Sequence, residues 1–258
     1  MISRNQIKLV RSLEQKKHRM AEGLFVAEGP KVVGDLLACH FLPRMIFALS
    51  GGVGWEDCGD SREIPVQIVT EDELRRLSFL QHPQQVLAVM EIPKWQNCPA
   101  VSHCPSAVSH LSIALDGVQD PGNLGTIIRL ADWYGIDTIC CSPDTADAWN
   151  PKVVQATMGS IARVHIMYTD LQELLRKTTV PVYGTVLDGE NIYRQQLSGS
   201  GFIVMGNEGN GISAPIRKLL THRLLIPQMR PGAESLNVAV ATAIVCSEFR
   251  RQTLAAAL

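Results

Sequence analysis

The chain has 258 residues, a formal net charge of −1 and seven cysteines; 46% of it is hydrophobic and 19% charged. That length suits one large or two modest domains with a core that needs no disulfide or metal staple, and the composition excludes a globally disordered chain. No apolar run reaches the roughly 18 residues of a membrane span, the start MISRNQIKLVRSLEQKKHRM lacks the apolar centre of a secretory signal, and an odd cysteine number without a C-x-x-C pair fits a reducing, cytoplasmic setting.

The near-zero net charge hides a local excess. Residues 1–20 carry Arg4, Lys8, Arg11, Lys16, Lys17 and Arg19 against Glu14 alone, six cations to one carboxylate. Such clustering serves either a phosphate-binding footprint or a solvated helix face. Residues 3–20 read as one helix, with Ile7, Val10 and Leu13 at helical spacing. FVAEG follows as a strand, and PKVVGDLLAC as a helix opened by Pro30. MIFAL and VQIV read as strands. EDELRRLSF reads as a helix whose Thr70 and Glu73 make a capping box. VLAVMEI closes a small α/β unit, residues 1–92.

Residues 93–110, PKWQNCPAVSHCPSAVSH, hold three prolines and no apolar period, and read as a linker. Cys98, His103, Cys104 and His110 fall here, but their spacing matches no standard zinc pattern, so no metal is expected.

A second α/β unit occupies 111–258. LSIALD, TICC, ARVHIM, PVYGTVL, GFIVM and HRLLIP read as strands. NPKVVQATMG reads as a helix with Asn150 as cap and Pro151 in its first turn. LNVAVATAIVCSEFRRQ reads as a buried closing helix. Short apolar strands alternating with helices predict a mostly parallel sheet covered by helices on both faces.

Ligands of such sheets bind beyond the carboxyl ends of the strands, and three loops there carry chemistry-bearing residues. The first, LDGVQDPGNLGTIIRL, puts Asn123 at an expected helix N-cap and Arg129 on the exposed helix face. The second, FIVMGNEGNGIS, contains Glu208 among glycines. Its Gly209-x-Gly211-x-x-Ala214 formally matches a dinucleotide fingerprint, but too few residues follow to build the rest of that sheet, and Glu208 would repel a pyrophosphate. The third, LLIPQMRPGAESLNVAVA, places Ser235 as an expected cap of the closing helix and Asn237 in its first turn. Taken singly, each loop also reads as an ordinary capped or glycine-rich turn.

Together, NLGTIIR, MGNEGNGI and IP followed by SLNVAVA resemble the three motifs of the SpoU (TrmH) family of RNA ribose 2′-O-methyltransferases, in the SPOUT superfamily. The resemblance covers about 150 residues, from Leu111 to the end. The stretch IKLVRSLEQKKHRMAEGLFVAEGPKVVGDLL is similar to the family's ribosomal-protein-like RNA substrate-binding domain. The resemblance implies a deep trefoil knot, a homodimer, and S-adenosylmethionine held near Leu187, Gly206, Ile226, Pro227 and Leu236. It implies catalytic roles for Asn123, Arg129, Glu208, Ser235 and Asn237, and RNA contact by Lys8, Arg11, Lys16, Lys17 and Arg19. Ribosomal RNA is the expected substrate in preference to tRNA. The alternative is a non-catalytic RNA-binding or assembly protein on the same scaffold.

Overall fold

The computed structural model describes residues 1–51, 66–93, 110–230, 232 and 235–256. The chain gathers into two compact units, Met1–Trp95 with Asp147–Arg163, and Gln96–Ala146 with Val164–Leu258.

The first unit opens with α1 (Arg4–Ser12) and α2 (Lys16–Glu22), where the sequence pattern predicts one helix. The break has a side-chain cause. Arg19 Nη1 donates to the carbonyls of Leu13 and Glu14 at 2.6 and 2.7 Å, satisfying groups that a continuous helix would bond internally. A capping box at Ser3 and Gln6 starts α1. Then come β1 (Leu24–Glu28), α3 (Pro30–Ala38), β2 (Pro43–Leu49), β3 (Val66–Val69), α4 (Glu71–Leu77) and β4 (Val86–Glu91). The expected capping box of α4 is formed by Thr70 and Glu73. The strands lie in the order β1-β4-β2-β3, with β4 antiparallel to both neighbours and β2 parallel to β3. Val10, Leu13, Phe47, Leu74, Leu77, Leu87 and Val89 fill the core under this sheet.

The expected linker lies outside the described residues except for Pro93 and His110. Beyond it run β5 (Leu111–Asp116), α5 (Pro121–Trp133) and β6 (Thr138–Cys141). The next helix, α6 (Pro151–Ala156), is capped by Asn150 as expected, yet it packs with the first unit. The cause is again Arg19, whose Nε and Nη2 donate to Asp147 Oδ2 at 2.9 and 2.5 Å, with the Trp149 ring 4.4 Å from that of Phe25.

The second unit continues with β7 (His165–Tyr168), α7 (Leu171–Lys177), β8 (Val182–Asn191), β9 (Gly201–Gly206), α8 (Ala214–Arg217), β10 (His222–Leu225) and α9 (Val238–Ala256). Helix α7, capped by Asp170, was not among the expected elements. The strands lie in the order β10-β8-β9-β5-β6-β7, and every pairing is parallel. Strand β9 is buried throughout and β5 all but its last residue, as near-continuous apolar runs require when helices cover both faces. The chain runs outward from β5 through β6 to β7, then returns to lay β9 on the other side of β5. The order therefore reverses between β5 and β9, whose last pair is Asp116 with Gly206. That reversal is where open parallel sheets bind ligands.

Candidate active site

Three loops meet at the reversal point. The chain leaves β5 through Gly117, whose φ of +74° suits glycine, and Gly117 N donates to Ser142 Oγ at 2.9 Å. The loop after β9 is fastened to it twice. Asn207 Nδ2 donates to the Gly117 carbonyl at 2.7 Å, and Ser213 N donates to Asp116 Oδ2 at 2.7 Å. Asn207 also shapes its own loop, because its Oδ1 accepts from Gly209 N and Asn210 N at 2.9 and 3.0 Å. Its backbone exchanges two hydrogen bonds with Gly211, at 3.0 and 2.9 Å. A Cβ on Gly206 would lie 2.2 Å from the Gly211 carbonyl carbon, so only glycine fits there. This closed turn, followed by a four-residue α8, replaces the phosphate-binding helix that a dinucleotide fingerprint needs.

The turn presents Glu208 to the start of α5. Its carboxylate accepts from Gln119 N and Asp120 N at 3.2 Å each, and from Asn123 Nδ2 at 3.0 Å. Partial burial pushes the Glu208 carboxyl up, but these donors, with its own backbone N–H, outweigh it and hold it below the usual glutamate range. Asn123 Oδ1 in turn accepts from Asn237 Nδ2 at 2.9 Å. One residue from each loop thus forms a chain, Glu208–Asn123–Asn237, that fixes the direction of both amides.

Two expected caps are corrected. Asp120, not Asn123, caps α5, with Asp120 Oδ1 accepting from Asn123 N at 2.8 Å. Pro121 takes the first helical position, so the cap falls at Asp120, three residues earlier than expected, and the Asn123 amide is released for the chain. Asn237, not Ser235, caps α9, its Oδ1 accepting from Ala239 N and Val240 N at 2.9 and 3.3 Å. Among the described residues, Ser235 is exposed and takes no part in this chain.

Arg129 lies on a different stripe of α5. Thr126, Arg129 and Trp133 follow one another on its exposed face, and Trp133 is 84% exposed. Among the described residues Arg129 has no hydrogen-bond or ion-pair partner. The residues expected to hold the cofactor lie on β8, β9 and the loop after β10. Gly206 ends β9, Ile226 and Pro227 are half-buried, and Leu187 and Leu236 are exposed. The expected burial of the start of α9 is only partial, since Val240 is 50% exposed.

Of the five expected RNA contacts, Lys8, Lys16 and Lys17 are exposed. Arg11 donates to the Ser78 carbonyl at 2.7 Å and stands 4.8 Å over the Phe79 ring. Arg19 is a correction, because its side chain is 2% exposed and occupied by Asp147 and two carbonyls. An amphipathic reading places it with the other cations, but the helix break turns it inward. Cys98, His103 and Cys104 lie outside the described residues, and among the described residues no cluster of three metal-binding side chains occurs. Sequence reasoning missed Asn207. Its signal was an Asn two residues before a Gly-x-Gly, the pattern of a side chain that bonds the backbone of its own turn.

Residues 110–247 match the SpoU rRNA methylase family, and residues 4–88 match the MRM3-like substrate binding domain. The 23S rRNA (guanosine(2553)-2′-O)-methyltransferase RlmP of Bacillus subtilis is 31% identical over 261 residues, covering 96% of this chain and 97% of its own. A TrmH-family structure from Porphyromonas gingivalis is 39% identical with a TM-score of 0.86, covering 98% of this chain and 99% of its own. An rRNA methyltransferase from Sinorhizobium meliloti, solved with S-adenosylmethionine bound, is 30% identical with a TM-score of 0.85, covering 97% and 96%. With its family-specific motifs gathered at the reversal point of a parallel sheet, the chain belongs to the SpoU rRNA methylase family.

Proposed function

We propose that this protein methylates a ribose 2′-hydroxyl of RNA with S-adenosylmethionine as donor, and that ribosomal RNA is its substrate. The observation that carries the reading is the Glu208–Asn123–Asn237 chain, in which three motif loops converge at the carboxyl end of β5. The rRNA preference is supported by the relatives named RlmP and RlmB, which methylate 23S rRNA. The cytoplasm is the setting proposed for this work, as an odd cysteine number without a C-x-x-C pair suits a reducing compartment. Residues 1–92 would bind the RNA, through Lys8, Lys16 and Lys17, and residues 111–258 would carry the methyl transfer.

The donor set fits S-adenosylmethionine. Gly206, Ile226, Pro227, Leu187 and Leu236 offer backbone and apolar surface, as a nucleoside held in a dry rim requires, and exposed Leu187 and Leu236 are left for it to cover. When bound, the cofactor supplies a methyl group made electrophilic by its sulfonium. The chain's own residues supply position and charge. The fixed amides of Asn123 and Asn237 hold the ribose in line, where effective molarity contributes several kcal/mol. Arg129 binds the adjoining phosphate and stabilises the oxygen as its proton leaves to solvent. A guanidinium with a pKa above about 12 is a poor base, so clamping is the role assigned to it.

Arg129 lies on the exposed Thr126–Arg129–Trp133 stripe of α5 and bonds to no member of the Glu208–Asn123–Asn237 chain. This supports a homodimer in which the Thr126–Arg129–Trp133 face of α5 meets a second copy and delivers Arg129 to the partner's cofactor. The strand order β10-β8-β9-β5 sets β10 at the sheet edge, while Asn237 bonds Asn123 of α5 after β5, and this separation supports the trefoil knot expected for the family.

Arg129→Ala tests the reading. Methyl transfer to rRNA should be abolished while calorimetry still detects S-adenosylmethionine binding. Near-normal turnover of the variant would remove Arg129 from the mechanism. Failure of the wild-type protein to bind the cofactor would leave a non-catalytic RNA-binding protein.

A further inference from the structure

Strand β8 does not run straight along β10. Tyr183 and Gly184 pair with His222 and Arg223, but the next residue of β10, Leu224, pairs with Glu190. Residues 185–189 therefore leave the ladder as an excursion, and Leu187 sits on it with 78% of its surface exposed. The excursion is fastened at two adjacent points. Asp188 is bonded by Arg217 Nη2 of α8 at 2.5 Å and lies 3.4 Å from Arg223 Nη1 of β10. Gly189 lies so close to β10 that a Cβ there would stand 2.7 Å from the Leu224 carbonyl carbon and 2.9 Å from the carbonyl of Arg223. These are backbone atoms of a paired strand and cannot step aside cheaply.

We propose that Asp188 and Gly189 are positioning residues for the cofactor, which lock the 185–189 excursion onto β10 and α8 and so hold Leu187 at the rim that receives S-adenosylmethionine. The inference rests on the reading of Leu187 as part of that rim. Both oxygens of Asp188 face guanidinium groups, so its carboxylate acts on the loop and not as a ligand. The Arg217 hydrogen bond holds that carboxyl below the usual aspartate range, which keeps the latch charged at neutral pH. About half of the Asp188 side chain is exposed, so the latch is also sensitive to salt.

Calorimetry of S-adenosylmethionine binding to the full chain, paired with steady-state kinetics, tests this. Asp188→Asn should weaken cofactor affinity about threefold to fivefold at low salt, as an exposed pair allows. The deficit should close in 1 M salt, where the Debye length is about 3 Å. Gly189→Ala should weaken affinity at least tenfold, because backbone must move. In both variants the cofactor KM should rise far more than kcat falls at saturating cofactor. Asp188→Glu, which keeps a carboxylate for Arg217 and Arg223, should recover most of the affinity that Asp188→Asn loses. If Gly189→Ala does not fold, Asp188→Asn and Asp188→Glu decide alone. Unchanged cofactor affinity in Asp188→Asn, or an equal loss in Asp188→Glu, overturns the inference while the methyltransferase reading stands. A wild-type protein that binds no S-adenosylmethionine overturns both.

Discussion

Arg19→Met removes a guanidinium that makes four hydrogen bonds and is 2% exposed, opposite an Asp147 that is 9% exposed. Methionine fills similar volume but leaves the aspartate buried without its partner and the carbonyls of Leu13 and Glu14 without donors. Breaking a buried pair on one side costs about 3–5 kcal/mol. At roughly 2–4 °C per kcal/mol for a chain of this size, the melting temperature should fall by roughly 6–20 °C. Arg19→Met with Asp147→Leu should recover much of that loss, since an apolar pair carries no stranded charge. The same structure says that Arg19 does not meet RNA. The assay is a salt series of RNA binding with the stabilised double variant. Its slope of log K against log salt should equal that of the wild type, whereas Lys17→Ala should flatten the slope by about 0.7–0.9 for one lost phosphate contact. The reasoning is refuted if the double variant melts like the wild type but its salt slope drops by a full contact.

Asn237→Asp separates two duties of one side chain. Aspartate caps a helix as well as asparagine, so stability should stay within about 0.5 kcal/mol. The donor to Asn123 is lost, however, and turnover should fall about tenfold in a single-turnover methylation assay. Glu208→Gln should likewise lower turnover about tenfold, because a neutral amide cannot accept from both Gln119 and Asp120 as the carboxylate does. The wild-type carboxyl titrates below its unfolded value, so its contribution is present above about pH 4.3 and lost as pH falls through the lowered folded value. The stability difference between wild type and Glu208→Gln, read from melts across pH, should therefore be flat near neutrality and shrink on acidification. A difference that grows in acid would refute the arrangement.

The strands were legible because their apolar content is nearly continuous, which only a sheet covered on both faces requires. The helices at Thr70 and Asn150 were legible because capping is local chemistry, read within three residues. Helix α7 was missed although Leu171, Leu174 and Leu175 carry the helical period and Asp170 the cap. The caps at Asp120 and Asn237 were misplaced by three and two positions, since several polar residues compete there and only packing chooses among them.

The sequence by itself determined the class of the fold and the three loops that hold the chemistry, because periodicity, caps and glycines act over a few residues. Tertiary structure alone decided which side chains meet. It turned Arg19 from a surface cation into a buried tie for Asp147, and it joined Glu208 to Asn123 and Asn123 to Asn237 across 85 and 114 residues of chain. It also took residues 185–189 of β8 out of the ladder with β10. Those outcomes depend on contacts between distant segments, whose closure no local pattern encodes.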